Sequence, residues 1–194
     1  MLSRSPVAAP DWLIVVDMQN IFGRPDSAWF TPRFNEIVPL IQRLIRKVSP
    51  HVVFTRFLAP QIPIGSWIPY YQQWPFALQD PTSYDYELVE ALKDSEGIHI
   101  DATTFSKWTP QLSGETAMDI DSPLWLAGVS TDCCVLSTAL AAADQGRHVK
   151  VIQDACAGVD DSAHRRALDV MQLYQPLIEI VTATQLLGEE AIPS

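Results

Sequence analysis

The stretch LWLAGVSTDCCVLSTALAAADQG, residues 124–146, changes its periodicity halfway along. Leu124 to Val129 is a continuous apolar run, the pattern of a strand buried on both faces. From about Thr131 to Gln145 the pattern becomes that of an alanine-rich helix, and Gly146 supplies its stop. The same alternation extends in both directions. Upstream, Trp12–Val16 reads as a buried strand and Phe34–Lys47 as a helix with Ile37, Ile41, Leu44 and Ile45 on its apolar face. His51–Thr55 follows as a second strand. Tyr84–Asp94 reads as a helix with Leu88, Val89 and Leu92 on one face, closed at Gly97, and Ile98–Ile100 as a short strand. Downstream come a strand at Val149–Ile152, a helix at Ala163–Tyr174 and a last strand at Leu177–Val181. Strands alternating with helices predict an α/β fold: a parallel, doubly wound sheet with helices on both faces and right-handed crossovers.

The 194 residues, 47% hydrophobic, suffice for one domain with a substantial core, so residues 1–194 are read as a single domain. No apolar stretch approaches the ~18 residues that mark a membrane span. The run Trp12–Val16 stops at Asp17, too soon for a signal-peptide core. A net charge of -10 sets the surface against phosphate backbones and anionic lipid, so neither nucleic acid nor membrane is an expected partner. Cys133, Cys134 and Cys156 cannot all pair, and the adjacent two bridge only under strain. Reduced thiols in a cytoplasmic protein are the expectation, and no metal-type cysteine spacing occurs. Two segments fall outside the alternation. Met1–Pro10 reads as a loose arm; Ala59–Pro81, rich in proline and aromatic residues, is long enough to be functional or to lie at an interface.

In open α/β sheets ligands bind beyond the carboxyl ends of the strands, and three reactive features fall there. Asp17 ends the first strand in VVDMQNIF, Cys133 and Cys134 follow the fourth in LAGVSTDCCV, and Lys107 lies past the third in DATTFSKW. A cysteine in the first turn of a helix has its pKa lowered by the positive helix end, and the same backbone amides suit an oxyanion. Cys134 equally suits the role of a small buried hydrophobe. Asp17 suits a helix cap as well as catalysis. Lys107 stands out by elimination, because Lys47, Lys93 and Lys150 occupy positions that look exterior.

VVDMQNIF at the first strand, GVSTDCCV at the fourth and QDACAG at the fifth together resemble the isochorismatase-like cysteine hydrolase superfamily, in the same order and from roughly Trp12 to Leu187. The resemblance implies three layers, a six-stranded mostly parallel sheet, an Asp–Lys–Cys triad and a homo-oligomer, a dimer or tetramer. It also implies a cis peptide at Val129–Ser130 that turns the Ser130 amide towards an oxyanion, beside the Cys134 amide. The nucleophile carries over to Cys134, the cysteine that precedes valine, and the base to Asp17. One residue is about 100° of helix rotation, so Cys133 is expected to point into packing. The lysine departs from the family pattern, whose register falls on Ala102. Lys107, five positions later, is expected to reach back and replace it. Nicotinamidases of the superfamily carry an Asp and His cluster, whereas TRFLAP at the second strand end has no histidine and His51, His99, His148 and His164 are scattered. Neither metal nor cofactor is expected.

These assignments compose a hydrolase that cleaves the C–N bond of a small amide, ureido or carbamoyl compound through a cysteine thioester. Asp17 accepts the thiol proton, Lys107 supplies the balancing charge, Cys134 attacks, and the Ser130 and Cys134 amides hold the oxyanion. Substrate contacts are expected from Phe22, Arg56, Trp67, Tyr71 and Trp108, with Tyr70 and Trp74 extending an aromatic wall. The same aromatic segment suits a dimer contact. Arg56 suits an ion pair with Asp80 or Asp85 as well as a substrate carboxylate. Two other readings stand beside this one: vinyl-ether hydrolysis of the isochorismate type, which the cysteine at 134 disfavours, and a binding module on an impaired hydrolase scaffold, motivated by Ala102.

Overall fold

A computed structural model describes residues 10–188, so the expected N-terminal arm lies, apart from Pro10, outside the described residues. Six strands, β1 (Trp12–Val16), β2 (Val52–Phe57), β3 (Ile98–Ala102), β4 (Leu124–Val129), β5 (Val149–Ala157) and β6 (Ile178–Val181), form one sheet in the order β3-β2-β1-β4-β5-β6. Every pairing is parallel. The helices are α1 (Asn20–Gly23), α2 (Phe34–Val48), α3 (Trp67–Gln73), α4 (Pro110–Glu115), α5 (Leu136–Asp144), α6 (Asp161–Gln172) and α7 (Ala183–Leu187).

The apolar run of β1 has a direct structural cause. Leu13 and Val15 point into the core that holds Ile37, Ile41 and Leu44 of α2 and Ala183 of α7. Ile14 and Val16 point into the opposite core with Ala139 and Ala142 of α5 and Leu168 and Met171 of α6. A strand with cores on both sides has no polar face to alternate with. Strand order reverses between β1 and β4, so the loops after these two strands border the crevice where such sheets bind ligands. Gly128 allows the two strands to meet there: its φ is +117°, and a Cβ at this position would lie 2.1 Å from the Val16 carbonyl oxygen.

Three segments depart from the sequence expectation. Tyr84–Asp94 is not a continuous helix; it makes a short turn at Tyr84–Tyr86, an extended stretch, and a second turn over residues 90–94. Its backbone is engaged by the loop after β1: Leu88 bridges Gln19, the Val89 amide donates to the Met18 carbonyl, and the Asn20 amide donates to that of Glu87. The helix after β4 begins with a wider π turn at Thr131–Val135 before α5 starts at Leu136. β5 runs five residues past Ile152, through a register shift that pairs Leu126 with Val151 but Gly128 with Cys156. Ala59–Pro81 also contains α3, which seats Trp67, Tyr70 and Tyr71 against Phe57 and Phe105 or one another.

Candidate active site

Asp17 leaves β1 with φ at 50°, a left-handed conformation that aspartate tolerates better than most residues. Its Oδ1 accepts a hydrogen bond from the Thr55 hydroxyl at 2.8 Å, and its Oδ2 lies 3.1 Å from the Lys107 ammonium. Both side chains are 0% exposed. Burying two charges is costly unless each is paired and hydrogen-bonded, and here both conditions are met. Lys107 also donates to the Thr104 carbonyl at 2.8 Å and sits 4.6 Å from the Phe57 ring centre. The contact with Asp17 is an ion pair rather than an aligned hydrogen bond, so Oδ2 keeps a lone pair free for another proton.

The chain reaches this position because β3 ends at Ala102, paired with Phe57, and residues 103–106 double back before Lys107. Ala102 has no charge to offer, and Lys107 brings one to Asp17 from the loop. The Lys107 amide donates to the Thr138 hydroxyl at 2.8 Å, which in turn donates to the Cys134 carbonyl at 2.6 Å. Thr138 therefore ties the lysine loop to the cysteine turn.

Cys134 is 4% exposed at the floor of that turn, and the Val129–Ser130 peptide before it is cis. The Ser130 hydroxyl and the Val159 amide both donate to Asp132 Oδ1, at 2.7 and 2.9 Å. The two adjacent thiols act on each other. Cys133 is drawn below the usual thiol range by its hydrogen bond with Cys134. Cys134 is pushed well above it by that same neighbour, by burial and by Asp17, with Lys107 pulling the other way. The helix start alone predicts a lowered value for Cys134; burial and two neighbouring groups outweigh it.

A cavity of about 270 Å³ opens over Cys133 and Cys134. Phe22, Trp29, Phe57, Tyr70, Trp74 and Phe105 form its walls, with Ser130 and Asp132 as polar lining. Trp29 stacks on Phe22 at 6.0 Å and meets Phe57 and Phe76 edge-on at 5.8 and 5.2 Å. Of the five side chains expected to touch substrate, Phe22 lines the cavity and four do not. Arg56 forms a two-pronged pair with Asp101 at 2.7 Å, because the parallel register sets these residues opposite each other on β2 and β3. Of its two expected partners, Asp85 pairs with Arg24 instead, and Asp80 accepts from the Thr82 amide and hydroxyl. Trp67 stands behind the wall, 5.0 Å from Phe105, and Tyr71 is buried beneath Trp67 and Tyr70. Trp108 packs in the α5–α6 core, 5.9 Å from the Arg147 guanidinium. Cys133 also departs from expectation: it lines the cavity beside Cys134. The π turn spreads one rotation over more residues than an α turn, so neighbouring side chains diverge less. Trp29 escaped the sequence reading, although it lies in the loop after β1 and the strand-end rule points there.

A family model for the Isochorismatase domain matches residues 11–185. No curated protein matches the chain. A cysteine hydrolase from Pseudomonas syringae pv. phaseolicola is 22% identical, with a TM-score of 0.79 over 95% of this chain and 94% of that one. An isochorismatase-like hydrolase from Alkaliphilus metalliredigens is 19% identical, with a TM-score of 0.76 over 93% and 98%. A pyrazinamidase of Pyrococcus horikoshii, in complex with zinc, is 26% identical, with a TM-score of 0.72 over 89% and 98%. The donors for such a metal are not assembled here: among the described residues no three His, Cys, Asp or Glu side chains are arranged to hold a metal ion, and β2 ends in Arg56-Phe57 without a histidine. With a domain match that begins just ahead of β1 and runs into α7, the chain belongs to the isochorismatase family of hydrolases.

Proposed function

We propose that the chain hydrolyses the C–N bond of a small amide, ureido or carbamoyl compound through a thioester on Cys134, without a cofactor. The observation that carries this reading is the buried Asp17–Lys107 pair, tied through Thr138 to the turn that sets Cys134 under an aromatic cavity. Similarity to a pyrazinamidase supports an amide as the reacting group.

The chemistry follows from the proton inventory. The Cys134 S–H proton passes to Asp17 Oδ2 as the sulfur attacks the carbonyl carbon, and the carbonyl electron pair moves onto oxygen. The Ser130 and Cys134 backbone amides hold that oxyanion. Collapse re-forms the carbonyl and breaks the C–N bond, with the proton on Asp17 passing to the departing nitrogen. A water then gives a proton to Asp17 and attacks the thioester; the C–S bond breaks, and the proton returns to sulfur. Lys107 stabilises negative charge as it moves between Asp17 and Cys134.

A panel of small primary amides, ureido compounds and carbamoyl acids tests the proposal. Cys134→Ala should lose roughly 10³-fold or more in kcat/KM on the best substrate, while Cys133→Ala retains turnover. Survival of activity in Cys134→Ala, with loss in Cys133→Ala, overturns the nucleophile assignment. The reading includes self-association into a dimer or tetramer through the exposed Ile62, Ile64 and Ile68; light scattering at micromolar protein measures it, and a monomer refutes it.

A further inference from the structure

The wall of the cavity is as informative for the charges it lacks as for its rings. Among the described residues its lining holds one ionisable carboxylate, Asp132, and no lysine, arginine or histidine. The cations nearby are committed elsewhere. Lys107 is buried against Asp17 and the Thr104 carbonyl. Arg24 pairs with Asp26 and Asp85, Arg33 with Glu36 and Asp161, and Arg56 with Asp101. Asp132 spends Oδ1 on the Ser130 hydroxyl and the Val159 amide, while Oδ2 accepts no protein hydrogen bond among the described residues.

We infer that this cavity selects its substrate by charge: it takes an amide whose acyl group is a neutral or cationic ring and turns away one that bears a carboxylate. The claim rests on the C–N hydrolase reading for which bond is cut, but not for what binds. A carboxylate entering a ring-lined cavity loses its water and finds no cation to replace it. It also meets the like charge of Asp132, across a medium that screens poorly. An ammonium substituent gains twice, from the ring faces and from Asp132. The volume, about 270 Å³, admits a single substituted ring. Charge selection of this kind also separates the two enzymatic readings, because isochorismate-type vinyl ethers carry carboxylates.

The test uses Cys134→Ser, which holds a ligand without turning it over, and three probes that share one ring: benzamide, 4-carbamoylbenzoate and 4-(aminomethyl)benzamide. Trp29 and Trp74 line the cavity, so quenching of tryptophan fluorescence reports occupancy. The carboxylated probe should bind at least about tenfold more weakly than benzamide, and the ammonium probe as tightly or more tightly. Val159 is 54% exposed at the rim. Val159→Arg supplies the missing cation there and should narrow the carboxylate penalty by about threefold or more. Equal or tighter binding of the carboxylated probe, or no binding of any of the three at millimolar concentration, overturns the inference. Turnover by the wild type is scored separately. If the binding order holds while no amide is cleaved, charge selection stands and the C–N reading falls; if amides are cleaved but the binding order is reversed, the charge selection falls.

Discussion

Replacing Lys107 by methionine removes a charge and keeps most of the volume, which isolates the electrostatic part of the site. The lost partner stood 3.1 Å from Asp17 Oδ2 with no solvent access to either group. Coulomb's law at that distance, with an effective dielectric constant of about 20, gives about 5 kcal/mol. Breaking a buried pair from one side costs about 3–5 kcal/mol, and the stranded Thr104 carbonyl adds to it. For a chain of this size each kcal/mol is worth about 2–4 °C, so melting should fall by about 6–20 °C at pH 8. The loss must depend on pH. In the variant the stranded carboxylate takes up a proton more readily in the folded chain than in the unfolded one. The native state then binds more protons, and its stability falls as pH rises. The gap between wild type and variant is therefore larger at pH 8 than at pH 5. Urea denaturation at both pH values measures it. The double variant Asp17→Asn, Lys107→Met has no unpaired charge and should recover most of the loss. A Lys107→Met deficit below about 1 kcal/mol at pH 8, or one equal at the two pH values, would refute the buried pair.

Three more outcomes follow from the same geometry. Iodoacetamide at neutral pH should modify Cys133, the partly exposed thiol on the cavity, and leave Cys156, buried away from it with its thiol pushed up to about 12, untouched; peptide mass mapping decides it, and early modification at Cys156 contradicts its burial. His164, 2.8 Å from the Thr131 hydroxyl, is held below its usual 6.5 by burial and then by Arg33. The unfolded chain therefore binds the extra proton, and stability should fall as pH drops below about 6.5; a His164→Gln variant whose melting temperature changes as steeply as the wild type's between about pH 7 and 5 argues against it. Gly128→Ala places a Cβ 2.1 Å from the Val16 carbonyl oxygen at a φ of +117°, a clash on the scale of about 4 kcal/mol or more, and wild-type melting in that variant would show that β1 and β4 do not meet as described.

How far the sequence could be read depended on how local each cause was. β1, β4 and α2 announce themselves because a strand with two cores is apolar throughout and a helix with one core repeats its apolar residues every three to four positions. The Tyr84–Asp94 segment has helical spacing but not a helix, because Met18, Gln19 and Asn20, more than sixty residues earlier, claim its backbone groups. No local pattern carries that information. The residues expected at the site divide in the same way. Asp17, Cys134 and Phe22 lie in the segments that leave β1 and β4, so topology alone sends them to the crevice. Arg56 looked available until β3 placed Asp101 opposite it. Trp67 and Tyr71 belong to the right segment, yet the turn of α3 gives the cavity to Tyr70. Lys107 gives the Asp17 carboxylate a positive partner inside the core, and it does so from five residues past the end of β3, where the following loop folds back. The Thr138 hydroxyl, bonded to both the Lys107 amide and the Cys134 carbonyl, is the link that makes it do so.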